Sequence, residues 1–316
     1  MVPTLGNPSD NRRDSAEHGT GRRRRSYAQA QEVAMVLFRR ADGIRVDDIP
    51  PLRRVVPFLT STRIDSMVYY PQRVDVDHLL DWLADYNQGR PAAERITFFH
   101  VFLTALARTF HLRPELNRFI SGRRTYVHKD ISFSFVVKKA MTDEAPETQV
   151  QVSFTGRETV VEVRDRINAE LARARGKEAS GSDRLIDVFA AWPGPALAAV
   201  AWFAFFLDFH NLLPRFLREA IPLYASAYLV NLGSLGAEAP FHHLYQQGTA
   251  SAFVAIGAIR KEAIVDDADR VVVRRCVNIV HTLDERATEG FYAVRSAQLL
   301  QGMLEVPEQL LEPLRE

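Results

Sequence analysis

RVVVRRCVNIVHTLDERATEG, residues 270–290, alternates along most of its length and then breaks into charge. Val271, Val273, Val277, Ile279 and Leu283 fall on one face of a period-two pattern, with Val272, Cys276 and Val280 on the other. Apolar residues on both faces predict one long strand covered on both sides. The strand delivers Asp284, Glu285, Arg286 and Glu289 into a turn ahead of a terminal helix over Phe291–Leu304. Charged groups at the end of a buried strand are costly to desolvate, so this turn is the first place to look for chemistry.

Outward from that strand, the chain has the means for a sizeable core. Its 316 residues are 47% hydrophobic, enough for one large domain or two small ones. A formal net charge of +1 gives no general attraction for nucleic acid or acidic substrates, and no specific nucleic-acid partner is expected. The single cysteine, Cys276, excludes an internal disulfide framework and a multi-cysteine metal site. Mid-strand, it reads as a small buried apolar residue. The apolar run Ala34–Phe38 is too brief for a signal peptide, so the expected location is cytoplasmic, with peripheral membrane association as a variant.

Residues 1–27 lack apolar periodicity and read as a disordered basic tail, with Arg22–Arg25 as its charged run. A short helix is expected over 28–38. Prolines at 50, 51 and 57 predict irregular chain. Ser66–Val76 reads as a strand whose Pro71 implies an edge or a bulge, and Asp77–Tyr86 as a helix. The strongest helix is Thr97–Leu112, where Phe99, Phe102, Leu103, Leu106 and Phe110 form one face. His100 and His111 read as structural. Arg124–Val127 and Ile131–Val137 are read as a strand pair, and Thr148–Phe154 repeats the alternation. Thr159–Arg175 reads as a charged, exposed helix, followed by a polar linker.

Val188–Leu207, VFAAWPGPALAAVAWFAFFL, carries no charge over a length near the ~20 residues a membrane-spanning helix needs. Pro193-Gly194-Pro195 interrupts it, and strand-like sequence lies on both sides, which argues against a single crossing. A buried or subunit-interface helical hairpin is the first expectation, and insertion into one leaflet or contact with a membrane surface the second. Arg215 and Arg218 just beyond suit anionic headgroups or any exposed helix.

Tyr224–Val230 then reads as a strand leading into Asn231-Leu232-Gly233-Ser234-Leu235-Gly236, whose glycines mark a tight turn with close backbone approach. It lacks the third glycine of a dinucleotide fingerprint. His242 and His243 are adjacent and without further ligands at metal spacing, so no metal is expected. Ala252–Ile259 reads as another strand.

Taken in order, RITFFHVFLTALARTFHLRPELNRFI, the strands after it, LVNLGSLG, FVAIGAIR and HTLDERATEG resemble the catalytic domain of the 2-oxo-acid dehydrogenase acyltransferases, relatives of chloramphenicol acetyltransferase. The most specific pieces are Pro114-Glu115-Leu116-Asn117, Asn231-Leu232-Gly233 and the closing Asp-x-Arg-x-x-acid-Gly. The resemblance spans roughly residues 50–305. It implies a two-layer α/β sandwich with a mixed sheet, filling residues 28–316 with an apolar helical insertion at about 185–220. It further implies a homotrimer, or a cage of trimers, with sites between subunits. Coenzyme A or acyl-CoA is the implied substrate, with Asn231, Gly233 and Ser234 contacting it, and Arg63 is expected to pair with Glu289 and fix the turn.

Two positions depart from that family's pattern. The closing motif there reads Asp-His-Arg-x-x-Asp-Gly with the histidine as general base, and here that position is Glu285. The hydroxyl residue that would steady the oxyanion falls at Val230. Neither a lipoyl domain with its modified lysine nor a subunit-binding domain is seen, so no covalently bound lipoate is expected. A thiol near pKa ~8.5 loses its proton to a glutamate near ~4.3 only at a cost of about 5–6 kcal/mol, whereas an imidazole near ~6.5 is far better matched. His242, His243 and His281 are therefore candidate substitute bases beside Asp284, Glu285, Arg286 and Glu289. The expected function is a divergent CoA-dependent acyltransferase; the alternative is a catalytically silent scaffold or membrane-associated assembly protein.

Overall fold

The computed structural model describes residues 40–138, 147–176, 191–221, 223–266 and 268–315. The basic tail at 1–27, the helix expected over 28–38 and the expected linker beyond Gly176 fall outside them. The chain separates into Met1–Arg40 and Ala41–Glu316, and every element below lies in the second unit.

Strands β1 (Gly43–Arg45), β2 (Met67–Asp75), β3 (Arg118–Ser121), β4 (Arg124–His128), β5 (Ile131–Lys138), β6 (Glu147–Phe154), β7 (Ala227–Asn231), β8 (Ala252–Val265) and β9 (Val271–Asp284) form two sheets. The larger is six-stranded in the order β2-β9-β8-β7-β5-β6, and the smaller is β1-β4-β3. β7 runs parallel to both its neighbours and the other pairs are antiparallel, so the sheet is mixed. The α-helices among the described residues are α1 (Pro51–Leu59), α2 (Asp77–Asn87), α3 (Phe98–Leu112), α4 (Val160–Arg175), α5 (Gly194–Phe209), α6 (Arg215–Ala220) and α7 (Gly290–Glu305).

The main core lies between one face of the large sheet and α2, α3, α4 and α7. Phe133, Val152, Leu229, Val254 and Ile279 meet Leu79, Phe102, Ile167 and Leu304 there. α3 is the central helix, buried without a break from His100 to Phe110. Its Thr97 and His100 form a reciprocal cap, which closes the helix start without a carboxylate. α4 is less exposed than its charge suggests, because Val160, Val163 and Ile167 are fully buried on its inner stripe. The other sheet face carries a small cluster of Tyr228, Leu244, Phe253 and Val280 under the loop that follows β7.

Three sequence expectations are corrected. Residues 51–59 are helical rather than irregular: Pro51 sits at the first helical positions, where no hydrogen bond is lost, although Pro57 lies inside the helix. β4 and β5 are not partners, since β4 pairs with β1 and β3 while β5 pairs with β6 and β7. β9 is covered over its second half only, and Val271 and Val273 are 74% and 66% exposed. Pro71 does lie on an edge strand, as its missing donor requires.

The Asn231-Leu232-Gly233 segment is explained by backbone proximity. A Cβ on Gly233 would stand 2.3 Å from the Gly257 carbonyl oxygen, and one on Gly257 would stand 2.7 Å from the Ala239 nitrogen. Gly257 lies where the β8–β9 register shifts, between Ile256 and Ile259. Gly233→Ala is expected to destabilise the protein by on the order of 3 kcal/mol, because a backbone oxygen must move to admit the methyl group. A denaturant midpoint equal to that of the parent protein would contradict this packing.

Candidate active site

The closing turn is built on Asp284, whose side chain is 0% exposed. Arg286 chelates it, with Nε donating to Oδ1 at 2.9 Å and Nη2 to Oδ2 at 2.8 Å. A second guanidinium, Arg63, places its Nε 3.6 Å from Oδ2. Arg63 donates further to the carbonyls of Tyr245 and Gly248 at 2.8 and 3.0 Å, while Arg286 donates to those of Thr60 and Ser61 at 3.3 Å each. Burial lowers the Arg63 pKa, and the charges of Asp284 and Asp208 oppose that loss. Two aspartates thus balance two arginines, and Asp208 comes from the last turn of α5. Arg63, Arg286, Asp208, Phe205 and Phe209 share the wall of a cavity of about 170 Å³.

The pairing expected between Arg63 and Glu289 is not formed. Glu289 instead accepts from Arg53 of α1 at 3.2 Å, and the same guanidinium donates to the Glu285 carbonyl at 2.9 Å. Sequence reasoning misses Arg53 because Pro51 reads there as a break rather than as a helix start. The Glu285 amide donates to the Ser66 carbonyl at 2.9 Å. The main chain at 285 is therefore held from both sides while its side chain is exposed on this single chain. The Pro114–Asn117 turn supports the same region: Thr288 Oγ1 donates to the Glu115 carbonyl at 2.9 Å, and Arg113 lies 3.6 Å over the Tyr292 ring.

The three candidate imidazoles separate. His281 shares the parity of Ile279 and Leu283 and faces the helix layer, where its Nε2 meets Gln72 Oε1 at 2.9 Å. The Gln72 amide nitrogen donates to Ala297 O and Gln301 Oε1, so its oxygen is the acceptor and His281 the donor. Burial pulls the His281 pKa down to about 4. His281 is a core residue, turned away from the charged turn. His242 lies on the opposite face, stacked on Phe253 with ring centroids 4.0 Å apart, and its carbonyl accepts from Thr282 Oγ1 at 2.7 Å. Its Nδ1 lies 2.7 Å from the His243 carbonyl. A carbonyl only accepts, so Nδ1 carries the proton and Nε2 is the lone-pair nitrogen. His243 is exposed beside it, the rings 4.7 Å apart.

Asn231 and Gly233 are half-buried at the end of β7, and exposed Ser234 turns its hydroxyl back to the Asn231 carbonyl at 2.9 Å. Val230 is half-buried and paired with Ala255, with no hydroxyl of its own to offer. Among the described residues no helix is long and apolar enough to cross a membrane.

Comparison with known proteins agrees with this architecture. The model for the catalytic domain of the 2-oxoacid dehydrogenases acyltransferase family matches residues 225–312, which carry β7, β8, β9, the charged turn and α7. A probable dihydrolipoamide acetyltransferase from Listeria monocytogenes is 15% identical, with a TM-score of 0.55 over 85% of this chain and 96% of its own. The cubic core of a pyruvate dehydrogenase multienzyme complex is 14% identical, with a TM-score of 0.54 over 84% and 94%. A chloramphenicol acetyltransferase is 11% identical, with a TM-score of 0.50 over 83% and 99%. No curated protein matches the sequence. At these identities the likeness shows the fold, an α/β sandwich of the chloramphenicol acetyltransferase kind with a mixed sheet.

Two tests come from the geometry. Asp284→Asn leaves two buried guanidiniums without their shared counter-charge and is expected to cost about 3–5 kcal/mol. Glu285→Gln on the exposed side chain should stay within about 0.5 kcal/mol in the same urea titration. The second test is acid sensitivity. Burial holds both His100 and His281 near pKa 4, whereas an unfolded histidine protonates near 6.5. Their contribution is complete above pH ~6.5 and is lost as pH falls toward 4, up to about 3 kcal/mol each. His281→Asn should flatten the fall in denaturation midpoint between pH 7 and 4.5; an unchanged slope would place the titration elsewhere.

Proposed function

We propose that this chain is a divergent CoA-dependent acyltransferase of the 2-oxo-acid dehydrogenase acyltransferase type. The observation that carries this reading is the anchored turn. Asp284, Arg286 and Glu289 are each engaged in an ion pair, whereas the exposed Glu285 side chain takes part in none among the described residues. A site that opens on the surface of one protomer needs a neighbour to exclude water, so the working form is a homotrimer or a cage of trimers with the cleft at the seam. Coenzyme A or an acyl-CoA is the substrate, approaching along Asn231, Gly233 and Ser234, with no metal and no covalently bound lipoate.

In this scheme His242 Nε2 takes the proton from an acceptor thiol or hydroxyl. The acceptor attacks the thioester carbonyl, and the collapsing intermediate releases coenzyme A, whose thiolate recovers the proton. Glu285 cannot take that first step cheaply, since a carboxylate lies about four pK units below a thiol. Its place is to orient the imidazole or the acceptor. Imidazole general-base catalysis is worth roughly 10²–10⁴-fold, which sets the size of the effect to look for.

A second reading, a catalytically silent scaffold, is favoured by Val230 and Glu285 standing where a hydroxyl and an imidazole are expected. Incubating the protein with acetyl-CoA and longer acyl-CoA thioesters, with and without a dithiol acceptor, separates the two. Acyl transfer is expected, with His242→Gln lowering kcat by about a hundredfold or more and leaving acyl-CoA binding intact. Absence of both binding and turnover removes the enzyme reading. Appearance of thioester exchange only in Glu285→His supports the scaffold.

A further inference from the structure

α5 is built inside out. Its half-buried stripe holds Ala196, Val200, Ala201, Ala204 and Leu207, mostly small side chains, while Trp202, Phe203, Phe205, Phe206 and Phe209 are exposed. Trp202 is 67% exposed, Phe203 54%, and no residue of the helix is buried. A helix that settles on a protein in water does the reverse, burying its largest apolar groups and exposing its smallest. Leu212 and Phe216 beyond its end are exposed as well.

The geometry points to a lipid leaflet as the medium that covers this helix: we infer that α5 lies in the plane of an anionic membrane surface, sunk to the depth of the upper acyl chains. Two observations, the spread of the exposed groups and the basic groups beside them, select lipid over a second copy of the chain, and the helix length selects lying over crossing. At 100° per residue, Leu197, Trp202, Phe203, Phe205 and Phe206 spread over about 240° of the helix circumference, far wider than the ~100° stripe that a packed neighbour covers. The helix is 16 residues, or about 24 Å, short of the ~30 Å hydrocarbon thickness, so it fits lying down and not across. Its C-terminal end is flanked by exposed Arg123 and Arg215, with Arg123 also 5.4 Å over the Phe58 ring. That places basic groups beside exposed apolar groups, the pairing that anionic headgroups and acyl chains match. α1 adds Leu52, Val55, Phe58 and Leu59 to the exposed apolar surface on the far side of Arg123.

This inference does not depend on the acyl-transfer reading. Vesicles of phosphatidylcholine with phosphatidylglycerol, vesicles of phosphatidylcholine alone, and no lipid form the three arms of a co-sedimentation experiment on the full chain. The protein is expected to pellet with the anionic vesicles and to shift its tryptophan emission to the blue. The double variant Trp202→Ser, Phe206→Ser removes exposed groups only and should weaken vesicle binding by about a hundredfold with an unchanged sedimentation mass. Two results overturn the inference. One is a parent protein that stays in the supernatant with every vesicle. The other is a double variant that binds vesicles as the parent does but loses oligomeric mass, which would assign the helix to a second copy.

Discussion

A single carboxylate organises the end of this fold. Asp284 is taken fully out of water and given to two guanidiniums, one from its own turn and one from the segment before β2. Each arginine then spends its remaining donors on backbone carbonyls, Arg63 on the loop at 245–248 and Arg286 on residues 60 and 61. Three stretches of chain far apart in sequence meet at one negative charge. Such a buried network is stable only while complete, because loss of the carboxylate leaves two desolvated cations facing each other. The second negative charge near Arg63, from Asp208, keeps the cluster neutral as a whole.

This arrangement fixes residue 285 without any ligand. Its amide and carbonyl are both held by protein, so the turn needs no substrate to take its shape. What chemistry occurs at that position is then decided by the side chain alone. As a class, imidazoles are closer to thiols in proton affinity than carboxylates are. His242 is held to the same strand through its carbonyl, which accepts from Thr282 Oγ1. The shape of the turn is thus independent of the side chain at 285.

Much of this was legible in the sequence, and the rest was lost for physical reasons. Period-two and helical patterns located β2, β6, β8, β9, α2, α3 and α7, because burial on a single face leaves a one-dimensional trace. Parity also held the fate of His281: it falls on the same face as Val277, Ile279 and Leu283, the core face, and weighing that would have placed it inside. Strand partners are another matter. β4 and β5 are adjacent in sequence and join different sheets, a choice made by long-range packing that no local pattern records. Choosing between Arg53 and Arg63 as the partner of Glu289 was equally out of reach, since both lie in a short basic segment and only the helical path of residues 51–59 separates them.

The apolar insertion shows how a local oddity becomes part of the whole. Its outer faces are bare, but its root is fixed. A Cβ on Gly122 would stand 2.4 Å from the Phe209 carbonyl, so α5 ends against the backbone of the β3–β4 turn. Asn211 Nδ2 donates to the buried Tyr126 hydroxyl at 3.0 Å, and Arg218 of α6 ties the next segment down through Asp42 and the Leu213 carbonyl. Asp208 at the same root places its charge near Arg63, the second guanidinium beside Asp284. The end of α5 is therefore anchored to the β3–β4 turn and lies beside the charged cluster around Arg63.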